Sequence, residues 1–115
     1  MKMPKRFQSQ SSAHARAPEQ EQETAKRTGG FAVPQSGAGI VKGDVRVLGI
    51  ARIECKTTTR KSYALKPELV DKLESACLGT GEIPIVEIEF LGPRKRTLCV
   101  VPHYILDMLT ERKTQ

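Results

Sequence analysis

Gly43-Asp44-Val45-Arg46-Val47-Leu48-Gly49-Ile50-Ala51-Arg52-Ile53-Glu54-Cys55-Lys56 carries alternating side-chain character on both sides of Gly49. Val45 and Val47 alternate with Asp44 and Arg46, and Ile53 and Cys55 alternate with Arg52, Glu54 and Lys56. A period of two predicts two strands, and the glycine predicts the turn between them. One face of the hairpin reads as apolar and the other as charged. Side chains two residues apart in a strand share a face, so Glu54 and Lys56 lie together while Ile53 and Cys55 point into the core. A turn about Gly49 sets Asp44 opposite Glu54, with cross-strand Cβ atoms roughly 4.5–5.5 Å apart. Two facing carboxylates repel each other unless a cation sits between them, and an oxygen-rich site of this kind suits Mg2+ or Mn2+ better than zinc. Such a cation polarises a phosphate oxygen and lowers the pKa of a bound water, while the Lys56 ammonium positions that water or stabilises transition-state charge. The chemistry implied is metal-assisted phosphodiester hydrolysis.

Toward the N-terminus, Phe31-Ala32-Val33 predicts a short strand, and Pro34 to Gly39 supplies surface turn residues. Pro18 followed by Glu19, Gln20, Glu21, Gln22 and Glu23 marks a helix start, with proline in the first turn and acids near the positive end of the dipole. Gly29 and Gly30 stop it. Residues 1–18 hold almost no large apolar side chains, so the expectation there is a flexible basic tail ahead of one domain spanning 19–115. Toward the C-terminus, Leu69, Val70, Leu73, Ala76 and Cys77 recur at helical spacing after Pro67, and Gly79 and Gly81 close that helix. Ile85 to Phe90 and Thr97 to Val101 read as two further strands, and Tyr104 to Leu109 as a terminal helix. The resulting order is helix, three strands, helix, two strands, helix. Its fold class is α/β, with a mixed, mostly antiparallel central sheet flanked by helices.

The chain of 115 residues suits one compact domain. Lys and Arg total 19 against 13 Asp and Glu, a formal charge of +6, which favours an anionic partner and above all nucleic acid. Two Tyr, three Phe and no Trp are too few for a stacking platform on single strands, so duplex or branched DNA fits better. No apolar run approaches the roughly 20 residues needed to span a bilayer, and polar Gln and Ser follow the basic N-terminus where a signal peptide would be apolar. The expected location is the cytoplasm, with no membrane contact. Cys55, Cys77 and Cys99 form an odd set without metal-ligand spacing and read as reduced, packed thiols. His14 and His103 have no acid or serine partner in the pattern and are assigned no role.

Ser36-Gly37-Ala38-Gly39, then Lys42-Gly43-Asp44-Val45, then Ile53-Glu54-Cys55-Lys56-Thr57, followed by a basic segment, Tyr63 and an amphipathic helix, together resemble the PD-(D/E)xK nuclease superfamily. Within it the chain is similar to the small Holliday-junction resolvases of archaea and their phage-borne relatives, for which the cytoplasm would be that of a host cell. The likeness spans roughly Gln20 to Phe90. It implies a restriction-endonuclease-like fold in which Asp44 and Glu54 bind Mg2+, the Cys55 carbonyl adds a ligand, and Lys56 is the catalytic lysine. An acid from the first helix completes such sites: Glu21 is the choice here, with Glu19 and Glu23 the alternatives. Ser36 matches a serine that lies by the scissile phosphate. Gly43 replaces the proline that gives the superfamily its name, which alters backbone freedom at the turn but removes no ligand. Lys42 and Arg46 near Asp44, and Arg60, Lys61 and Lys66 after Lys56, are expected to hold phosphates on either side of the cut. Resolving a four-way junction takes two symmetric cuts and one chain offers one site, so a C2 homodimer is expected.

Overall fold

The computed structural model describes residues 5–33 and 45–111. The chain runs α1 (Lys5–Thr28), β1 (Phe31–Ala32), β2 (Val45–Val47), β3 (Ala51–Thr58), α2 (Pro67–Cys77), β4 (Ile83–Phe90), β5 (Arg96–Val100) and α3 (His103–Glu111). The five strands form one sheet in the order β1-β2-β3-β4-β5. Each neighbouring pair is antiparallel except β3 and β4, which run parallel because α2 carries the chain back between them. The fold is thus α/β with a mixed, mostly antiparallel sheet and flanking helices, as the sequence implies.

The hairpin that decides this fold pairs Val45 with Ile53, Arg46 with Arg52 and Val47 with Ala51. Its turn closes with the Ile50 N–H donating to the Val47 carbonyl at 2.9 Å, and Gly49 takes a φ of 73°, the left-handed region that glycine enters without a Cβ clash. Glycine is also required at the end of α1, for a different reason at Gly30. A Cβ on Gly30 would fall 2.5 Å from the Arg46 carbonyl oxygen and 2.9 Å from Val47 Cγ2, so the absence of a side chain lets β1 lie directly beside β2.

Both faces of the sheet are covered. On one, Val45, Ala51, Ile53 and Cys55 are buried and pack with Ala25 of α1, Val47 and Ile85. On the other, Leu73 of α2 is buried with Val86 and Ile88, and Tyr63, Leu65, Leu69, Val70, Phe90 and Val100 close around them. The hairpin thus has the expected apolar and charged faces, but its charged face is not all solvated, since Arg52 and Glu54 are buried on the α2 side, and on β4 Glu87 and Glu89 are buried under α1.

The helix start is also corrected. α1 begins at Lys5, and Pro18 lies inside it, within what reads locally as a tail followed by a helix start. The Gln, Ala, Lys and Arg content of this stretch favours helix, against the cost of Pro18, which lacks an N–H to donate and crowds the carbonyl one turn before it. A tertiary contact outweighs the local signal, since Arg16, two residues before the proline, is held by Glu89 of β4 through Nε at 2.6 Å and Nη2 at 2.9 Å. Among the described residues no helix is long and apolar enough to cross a membrane.

Candidate active site

Period-two alternation places Glu54 and Lys56 on the α2 side of β3, and there they form an ion pair with Lys56 Nζ 3.3 Å from Glu54 Oε2. On β4 their partners in register are Val86 and Ile88. These apolar neighbours explain the depth of the carboxylate, whose side chain is 8 % exposed against 35 % for that of Lys56. A carboxylate so enclosed needs a compensating charge, which the ammonium supplies while its tip stays in reach of solvent. Cys55, between them in sequence, is buried on the opposite face with Ile53. Asp44, Ser36 and Lys42 lie outside the described residues.

The acids expected from the first helix all lie on α1, which packs over the Ile53 and Cys55 side of β3. Glu19 and Glu23 are both engaged by Arg16, at 3.1 and 2.7 Å. The Arg16 hydrogen bond, against a smaller effect of desolvation, holds the Glu23 carboxyl down at about 2. Glu21 is half-buried on the same helix, and the sheet separates the α1 contact face from the Glu54–Lys56 pair. Among the described residues no three His, Cys, Asp or Glu side chains are grouped so as to hold a metal ion.

Of the expected phosphate contacts, Arg60, Lys61 and Lys66 are exposed on the segment between β3 and α2, directly downstream of Lys56. Arg46 has a different role. Its Nε donates to both Glu82 oxygens, at 3.0 and 2.8 Å, and Glu82 also accepts from Arg52 Nε at 3.1 Å and from the Gly49 N–H at 3.1 Å. Burial alone would raise the Glu82 pKa, but the Gly49 N–H and the two guanidinium groups outweigh it and leave the carboxyl below its ordinary value. Arg46 therefore neutralises a buried acid that ties the hairpin turn to the start of β4.

A second polar cluster, unforeseen from sequence, joins α1 to β4. Glu87 accepts from Thr24 Oγ1 at 2.6 Å and from Arg27 Nη2 at 2.5 Å. Glu89 is bound by Arg16 and by Lys95, the latter at 3.4 Å. The Arg16 hydrogen bond lowers the Glu89 pKa despite burial. Gln20 and Thr24 are fully enclosed beside them. The signal available in the sequence is the helical spacing of Arg16, Gln20, Thr24 and Arg27, which puts four polar side chains on one face of α1. In comparisons with known proteins, no family model matches the chain, and no characterised protein or solved structure gives a significant match.

Proposed function

We propose that this chain is a divalent-metal-dependent endonuclease of DNA, with a restriction-endonuclease-like core, that acts as a homodimer making paired nicks in Holliday junctions. The observation that carries the reading is the enclosed Glu54 carboxylate, paired at 3.3 Å with a lysine whose tip reaches solvent, on a central strand of the sheet. Two features support it. In the β2–β3 register Val45 pairs with Ile53, so the hairpin pairing runs up to the residue next to Glu54. The other is the α/β fold itself, a mixed, mostly antiparallel sheet flanked by helices, which carries the Glu54–Lys56 pair on a central strand.

Asp44, Glu54 and the Cys55 carbonyl are the groups that would hold Mg2+, with Mn2+ able to substitute, while Glu21, on α1 across the sheet from Glu54, stays outside the set. They offer oxygen alone, the donor chemistry a hard cation requires. When bound, the ion supplies Lewis-acid polarisation of the phosphate and a more acidic water. The protein's own contribution falls to Lys56, whose ammonium stabilises negative charge developing on the phosphate oxygens in a partly enclosed setting. Arg60, Lys61 and Lys66, with Lys42, hold flanking phosphates and keep the scissile bond in register with that lysine. Ser36 is placed by resemblance near the scissile phosphate. Digestion of a four-way junction and a linear duplex in Mg2+, with sedimentation of the protein at micromolar concentration, tests the substrate and the assembly. A dimer that nicks the junction symmetrically and spares the duplex is expected. A monomer that nicks single strands at random removes the resolvase assignment.

A further inference from the structure

We infer that Gln20 is a positioning residue for Lys56, acting through the β3 backbone from the opposite face of the sheet. For its kinetic readout this inference rests on the nuclease reading above. Gln20 is 1 % exposed, and its carboxamide is fully used. Thr57 Oγ1 donates to Gln20 Oε1 at 2.5 Å, while Gln20 Nε2 donates to the Lys56 carbonyl at 3.3 Å and to the Glu87 carbonyl and Oε1 at 3.4 Å each. One amide thus grips both residues of the Lys56–Thr57 peptide and ties them to β4. Glu87, the far anchor, is itself fixed by Thr24 and Arg27.

On β4 the partners of Lys56 and Thr57 are Ile88 and Glu89, and the Gln20 amide adds a hold from α1 to that strand pairing. The direction in which the Lys56 side chain leaves the backbone depends on that peptide, and Lys56 points away from α1 toward Glu54. A helix contact serving only packing would be apolar, as Ala25 is against the Ile53 and Cys55 cluster. A buried carboxamide at this site instead specifies one backbone position, because its donor and acceptor must both be met. A displacement near 1 Å in a catalytic group is enough for a loss of about 100-fold in rate.

The test uses the full chain with Mg2+ and a labelled four-way junction. Gln20→Met keeps the length of the side chain and removes its hydrogen bonds, and Gln20→Asn is a gentler change that shortens the reach. Glu82→Gln is the control, since it loosens the hairpin turn without touching Gln20, Lys56, Thr57 or Glu87. The expected result is a fall in kcat of about tenfold or more in both Gln20 variants with KM unchanged. The Lys56 side-chain NMR resonance should move with it. Glu82→Gln should lower the melting temperature while leaving kcat and the Lys56 resonance as in the parent. Gln20 variants that match Glu82→Gln in both readouts overturn the inference. A parent that cleaves nothing refutes the nuclease reading instead, and the Lys56 resonance then decides alone: movement in the Gln20 variants supports positioning, and none overturns it.

Discussion

Replacing Glu82 with Gln removes the charge of a carboxylate whose side chain is 1 % exposed while leaving its shape. Two guanidinium groups, Arg46 Nε at 2.8 Å and Arg52 Nε at 3.1 Å, then face a neutral amide, and the Gly49 N–H keeps only a weaker acceptor. Breaking a buried ion pair from one side costs about 3–5 kcal/mol, much of it from the partner left uncompensated. Arg52 is nearly as enclosed as the acid, at 9 %, but Arg46 is 31 % exposed and can turn to water, so the lower end, about 3 kcal/mol, applies. A domain of 115 residues loses roughly 4 °C per kcal/mol, giving a drop in Tm of about 12 °C. Thermal unfolding followed by circular dichroism at neutral pH measures it. A Tm within about 3 °C of the parent would refute the claim that this cluster holds the hairpin turn to β4.

Glu82 and Glu89 both have depressed pKa values in the folded chain, so the stability they contribute is complete above the unfolded carboxylate value of about 4.3 and is lost as pH falls through their lower folded values. A Tm profile level near neutrality and falling below about pH 4.5 is expected, with a shallower acid slope in Glu82→Gln; equal slopes would contradict it. Gly30→Ala should lose about 1–3 kcal/mol in urea unfolding, because its Cβ meets the Arg46 carbonyl oxygen at 2.5 Å; an unchanged midpoint would show that β1 can retreat without penalty. Replacing Arg60, Lys61 and Lys66 by Ala should reduce the slope of log K for DNA against log salt by roughly 0.9 per lost contact, and an unchanged slope would remove this segment from the interface.

The hairpin was legible because its information is local. Alternation about Gly49 gives both strands, and the observed register pairs Val45 with Ile53 as that turn requires. The amphipathic spacing of Leu69, Val70 and Leu73 likewise locates α2, since it records a face that must be covered. What stayed hidden depends on partners far away in sequence. Glu87 and Glu89 alternate with Val86, Ile88 and Phe90, which reads as a solvent face, and only the arrival of Thr24, Arg27 and Arg16 from α1 makes it an interior one. The same contact explains why Pro18 does not mark the start of α1. For the candidate site, the shared face of Glu54 and Lys56 follows from strand geometry alone. The diversion of Arg46 to Glu82 does not, because the acid lies across the sheet at the start of β4.

The most direct test of the central claim is cleavage of a labelled four-way DNA junction by the purified protein, with and without Mg2+, for the parent, Glu54→Gln and Lys56→Ala. The account predicts Mg2+-dependent cleavage by the parent, loss of cleavage in both variants, and junction binding retained in each because the flanking phosphate contacts remain. Cleavage by both variants within about tenfold of the parent, or a parent that binds the junction in Mg2+ and never cuts it, would contradict it.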